Sequence, residues 1–228
     1  MRKERKETAK RLYEIAEGQQ GFFTTKQAKA AGFAENTHPY HVQAGNWIRE
    51  HRGIYRLASF PRDERPDLML WSLWSRNRGE AAQGVYSHQT ALSLHDLSDV
   101  MPAKLHMTVP RRFRRNSEIP RVLVLHFADL PESDIGVAHG VRVTRPMRTI
   151  LDLLEGGEVP PAILRQALRE GLRRGIIRRI EIAEARKHLA DSKQLRTLFR
   201  KWPADAVQHW NYCDGVSIKL SRRPECLD

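Results

Sequence analysis

Between residues 24 and 56 the chain concentrates side chains that can hydrogen-bond a base edge or neutralise a phosphate. Glu35, Asn36, Thr37, His38 and Tyr40 place carboxylate, amide, hydroxyl, imidazole and phenol groups within about two helical turns, and such groups donate to or accept from base edges in a major groove. Thr24, Thr25 and Lys26 supply hydroxyls, backbone N–H groups and a positive charge in series, which suits phosphate oxygens. Arg49, His51 and Arg52 surround Gly53 in a short basic turn that can lie along a phosphate backbone or reach into a minor groove. Further on, Arg111, Arg112, Arg114 and Arg115 flank Phe113, and Arg165, Arg169 and Arg173 recur at i, i+4 and i+8, joined by Arg174, Arg178 and Arg179. Each group has a plain structural alternative. Asn36 or Thr37 can serve only as a helix cap, Tyr40 and His41 can belong to a core, and both arginine clusters can be solvated surface.

The charge balance favours an anionic partner. The 228 residues carry a net charge of +12, with a pI near 10.1. Residues 1–65 hold 13 Lys and Arg against 8 Asp and Glu, residues 66–160 hold 11 against 11, and residues 161–228 hold 15 against 8. Two basic ends around a neutral middle imply different tasks for different parts. At 40% hydrophobic residues the chain can build a core, which excludes a disordered protein. Cys213 and Cys226 sit together near the C-terminus and cannot staple the rest, and no apolar run long enough for a leader or membrane span occurs, so a cytoplasmic protein is expected.

The elements that would position these side chains follow from periodicity. Ala9, Leu12, Tyr13 and Ala16 give an amphipathic stripe over residues 4–17 that stops at Gly18. Thr24 or Thr25 can cap a short helix ending at Gly32, and Asn36 or Thr37 can cap a third, with Pro39 in its first turn and Gly45 as terminator. Two short strands, 47–50 and 54–57, face each other across Gly53. The order helix, helix, turn, helix, hairpin is that of a winged helix-turn-helix. Pro61, the charged run Arg62–Arg65 and Pro66 mark a boundary near residue 63.

Beyond it, 67–78 reads as a helix, Ser87 as the cap of another, and 105–109, 122–127 and 136–144 as strand regions. Helices follow at 146–155, 161–172 and 180–189. The expected fold class is α+β: a winged helix-turn-helix over residues 1–62, a mixed α/β domain over 63–190, and a C-terminal extension over 191–228 without recognisable pattern.

Enzyme signals are weak. Ser87-His88 lacks a third group to orient a base, and a serine opening a helix is usually its cap. Glu4 and Lys6, the one Glu-x-Lys pair weighed for a metal nuclease, fall in the first helix, away from any strand end. His209, Cys213 and Cys226 lack the close ligand pair of a zinc site. The chain is therefore expected to be non-enzymatic, with no metal and no cofactor.

Two strings, Gly21-Phe22-Phe23-Thr24-Thr25-Lys26-Gln27-Ala28 and the stretch from Gly45-Asn46-Trp47 to Gly53-Ile54-Tyr55-Arg56-Leu57, resemble the N-terminal winged helix of AbiEi-family antitoxins. Tyr86-Ser87-His88-Gln89-Thr90-Ala91-Leu92, Val109-Pro110 and Val143-Thr144-Arg145-Pro146-Met147-Arg148-Thr149-Ile150-Leu151-Asp152-Leu153 are similar to segments of the family's second domain. The resemblance spans roughly residues 5–175. It implies the antitoxin of a type IV toxin-antitoxin pair, which represses its own promoter through the winged helix and counters a nucleotidyltransferase-like toxin. One departure stands out: the family's third helix usually carries aliphatic residues where this chain has His38 and His41. A nuclease-like enzyme and an orphan winged-helix regulator are the alternatives.

Overall fold

In the computed structural model, the described residues are 2–99 and 101–187, with Arg196 and Leu198 beyond them. The extension after Asp191, with His209, Cys213 and Cys226, lies outside the described residues except at those two positions.

Helix α1 (Arg2–Glu17) packs Leu12 and Ala16 inward and leads into strand β1 (Phe22–Thr24). Helix α2 (Thr25–Ala31) starts with a capping box: the Thr24 hydroxyl accepts from the Gln27 N–H, and the Gln27 side chain accepts from the Thr24 N–H at 2.8 Å. A 3₁₀ turn (Glu35–Thr37) precedes α3 (His38–Gln43), and strands β2 (Trp47–His51) and β3 (Ile54–Leu57) form the wing. Gly53 sits at the tip with φ +73°, a left-handed conformation that glycine adopts at little cost. Neither Asn36 nor Thr37 caps α3 through its side chain, because the 3₁₀ turn runs into the helix without a break. Strand β1 was not foreseen. It joins the wing in an antiparallel sheet of order β1-β3-β2, pairing Phe22 with Arg56 and Thr24 with Ile54.

Helix α4 (Pro66–Trp74) is apolar on every side because it is sandwiched between layers, burying Leu68, Met69, Leu73 and Trp74. The second sheet has the order β6-β5-β4-β8-β7, with β4 (Val85–Tyr86) at its centre, β5 (Leu105–Val109), β6 (Leu123–Phe127), β7 (Ile135–Ala138) and β8 (Val141–Thr144). It is mixed: β5 with β6 and β4 with β8 are parallel, the other two pairs antiparallel. The region expected to be one strand around His139-Gly140 is the β7-β8 hairpin. Helix α5 (His88–Leu94), α6 (Pro146–Gly156), α7 (Pro161–Arg173) and α8 (Arg179–Lys187) supply the apolar residues of a second core, among them Leu92, Ile150, Leu153, Leu164 and Leu168.

Strand alternation lets β1 serve two cores. Phe23 turns toward Leu12, Ala28 and Trp47, whereas Phe22, with Ile54, joins the core of Leu68, Trp74, Tyr86 and Met107. The winged helix is thus packed onto α4 and, through it, onto the large sheet. A polar seam reinforces the contact. Arg76 donates to Gln19, the Thr24 hydroxyl donates to Glu80 at 2.8 Å, Lys26 donates to the Arg78 carbonyl at 2.8 Å, and Gln20 donates to the His139 carbonyl at 2.9 Å.

Candidate nucleic-acid interface

The short helix α3 divides its side chains between core and solvent. His38, expected at a base edge, is 2% exposed and meets Trp47 and Tyr55 edge-on at 5.2 and 5.8 Å. It occupies the inward position for which an aliphatic residue was expected, so it cannot reach a groove. His41 stacks on Trp47 at 4.6 Å, and burial, with His38 nearby, holds its pKa below the ordinary histidine range. These two imidazoles replace aliphatic core by aromatic packing. The solvent side carries Asn36, Tyr40 and Gln43, and Tyr40 is 65% exposed. Tyr40 is therefore not core. Thr37 is half-buried, with its hydroxyl donating to the Ala34 carbonyl at 2.6 Å.

In the wing, Arg49 and Arg52 project into solvent with no ion-pair partner among the described residues. His51 turns the other way and meets Trp71 of α4 edge-on at 5.4 Å, which anchors the wing instead of extending it. Arg56 is buried against Glu50, with Nε donating at 2.9 Å.

The expected phosphate contacts at the start of α2 are engaged within the chain. The Thr24 hydroxyl holds both the capping box and Glu80; the Thr25 N–H donates to the Gly53 carbonyl at 3.0 Å, tying α2 to the wing turn. Lys26 is held by the Arg78 carbonyl and lies 3.6 Å from Glu80. Sequence reading missed this because Glu80 lies 56 residues from Thr24.

The arginine loop after β5 also divides. Arg111 and Arg112 are exposed, but Arg114 donates to the carbonyls of Arg111 and Phe113, and Arg115 folds back, its guanidinium 5.1 Å above the Trp74 ring. On α7 and beyond, Arg169 is open to solvent and Arg165 half-buried, Arg173 is paired with Glu170, Arg174 with the carbonyls of His95 and Asp96, and Arg178 with Glu181.

No local signal in the residue order points to the histidine stack that the structure forms. His88 lies face to face on His126 at 3.6 Å, and His126 Nε2 is 3.1 Å from His106 Nδ1. Burial and the two neighbouring imidazoles, with Arg148, push His88 down to about 3, and burial pushes His106 and His126 down as well. Ser87 is fully buried and does not cap α5; its hydroxyl accepts from Thr108 at 2.8 Å and lies 3.0 Å from His88 Nδ1. A serine without access and an imidazole that weak as a base do not make a nucleophile. Among the described residues no three His, Cys, Asp or Glu side chains converge on a metal position. No helix of the described residues is long and apolar enough to cross a membrane.

No curated protein matches the chain. Among solved structures it is similar to the RV2827C protein from Mycobacterium tuberculosis, at 13% identity over 90% of this chain and 75% of that one, with a TM-score of 0.48. Residues 10–58 match the family model described as transcriptional regulator, AbiEi antitoxin. That span runs from α1 through the wing, covering the helices and the three-stranded sheet that carry Asn36, Tyr40, Arg49 and Arg52. Over the winged helix, therefore, this chain is similar to the AbiEi antitoxin family of transcriptional regulators.

Proposed function

We propose that this protein is a cytoplasmic, non-enzymatic antitoxin that represses its own promoter and counteracts a nucleotidyltransferase-like toxin. In this reading residues 1–62 are the DNA-reading unit and residues 63–190 the antitoxin domain. The observation that carries it is the division of α3 and the wing into a packed side and an open one. Asn36, in the turn before α3, and Tyr40 and Gln43 of α3 face outward, and Arg49 and Arg52, without an ion-pair partner among the described residues, stand on the wing. Amide and phenol groups read base edges, and guanidiniums neutralise phosphates on either side. Thr37 contributes only where its side chain lets go of Ala34. Arg111, Arg112 and Arg169 offer further open cations, to flanking DNA or to an acidic surface of the toxin.

Two measurements test this reading. The first is binding of the purified protein to a labelled duplex from the region upstream of its own gene, against a scrambled duplex of equal length. Preference for the upstream duplex supports autorepression, and equal binding overturns it. The second is growth of cells expressing the neighbouring nucleotidyltransferase gene, with and without this chain. Failure to restore growth overturns the antitoxin role.

A further inference from the structure

Glu80 engages the polar groups at the start of α2. Its carboxylate accepts from the Thr24 hydroxyl at 2.8 Å and lies 3.6 Å from the Lys26 ammonium, while the Lys26 amine also donates to the Arg78 carbonyl. The loop that delivers it is held in a defined conformation. The Asn77 side-chain oxygen accepts from the N–H groups of Gly79 and Ala81, and Glu80 itself is held at φ +66°, in the left-handed region that a non-glycine residue enters at some cost. Arg76 braces the carboxylate from the other side, 3.7 Å away, and itself donates to Gln19.

We infer that Glu80 is an intramolecular competitor of DNA: it holds Lys26 out of reach of phosphate, and only loss of the Glu80 contact frees Lys26 to neutralise one. The inference rests on the proposed reading of the winged helix as the DNA-binding unit. A carboxylate and a phosphate oxygen make the same charge-assisted contacts with a hydroxyl and an ammonium, so the two exchange without new chemistry. The Glu80 contact joins the two units of the chain, so release of Lys26 loosens the polar seam.

The experiment is a thermodynamic cycle read by fluorescence anisotropy. Its probes are the labelled upstream duplex and the scrambled duplex, each over a range of salt concentrations. Glu80→Gln keeps an acceptor for Thr24 and removes the negative charge; it is expected to bind both duplexes about five-fold more tightly at low salt, with a salt slope steeper by about 0.9, the signature of one more neutralised phosphate. Lys26→Ala is expected to change the parent protein less than about two-fold, because the amine is already engaged, but to abolish the gain of Glu80→Gln. Thermal melts of each variant show that the fold persists.

Glu80→Gln binding no tighter than the parent, with an unchanged slope, overturns the competitor role. So does a gain that survives Lys26→Ala. If the parent protein binds neither duplex, the reading of the winged helix fails and the competitor with it; if the parent binds and Glu80→Gln adds nothing, the competitor alone fails.

Discussion

Arg148 donates Nε to the Asp152 carboxylate at 2.7 Å, one turn along the same helix, and reaches Asp134 with Nη1 at 3.1 Å. With the Thr149 hydroxyl bonded to Thr144, this turns the Thr144, Arg148, Thr149 and Asp152 pattern into a clip joining β8, α6 and the 3₁₀ turn before β7. Asp152 is buried, so removing its cation leaves a charge in the core. Arg148→Ala is expected to destabilise the fold by about 2 kcal/mol in a urea melt, with partial recovery in Arg148→Ala/Asp152→Asn.

The same clip and the histidine stack pull stability in opposite directions with pH. Burial, outweighing Arg148, raises Asp152 from 3.8 to about 6, so its contribution is present below 3.8 and lost as pH rises through 6. His88 is lowered from 6.5 to about 3, so its contribution is present above 6.5 and lost as pH falls toward 3. Melting temperature measured between pH 4 and 7 should rise more with pH in Asp152→Asn than in the parent, and less in His88→Gln. A parallel shift of all three curves would contradict both assignments.

His38 offers a test of the divided helix. Its Nε2 is buried without a hydrogen-bond partner among the described residues, which costs free energy that an apolar side chain would not. His38→Leu should stabilise the protein by roughly 1 kcal/mol and leave DNA affinity unchanged within about two-fold. A large loss of affinity would mean that the imidazole faces the groove.

The outward residues should separate by role. Arg52→Ala and Arg49→Ala are each expected to lower affinity for upstream and scrambled duplexes alike and to reduce the salt slope by about 0.9. Asn36→Ala and Tyr40→Ala should instead cost about 1–3 kcal/mol on the upstream duplex only, with the slope retained. Binding isotherms on both duplexes at several salt concentrations distinguish these patterns.

Much of the architecture is legible because it is written in local signals. The stripe of Leu12 and Ala16, the capping of α2, Gly53 at the wing and Pro146 to Gly157 around α6 each follow from interactions within a few residues. Strands β1 and β4 escape such reading because three and two residues are too short to show alternation; neighbours distant in sequence hold them in place. Ser87 was expected as a cap and instead bonds Thr108, 21 residues away.

The sequence alone determined the winged helix, the basic character of both ends and the set of side chains available to meet DNA, since residue types, turn chemistry and helical period are properties of short stretches. Which of those side chains are free was decided only by the tertiary structure. His38 and His51 are drawn into aromatic packing, Thr24 and Lys26 are taken by a carboxylate 56 and 54 residues away, and Arg115 folds onto Trp74. Burial and pairing are set by what the rest of the chain brings alongside, and charge and hydrogen-bonding capacity spent within the fold are not available to a partner.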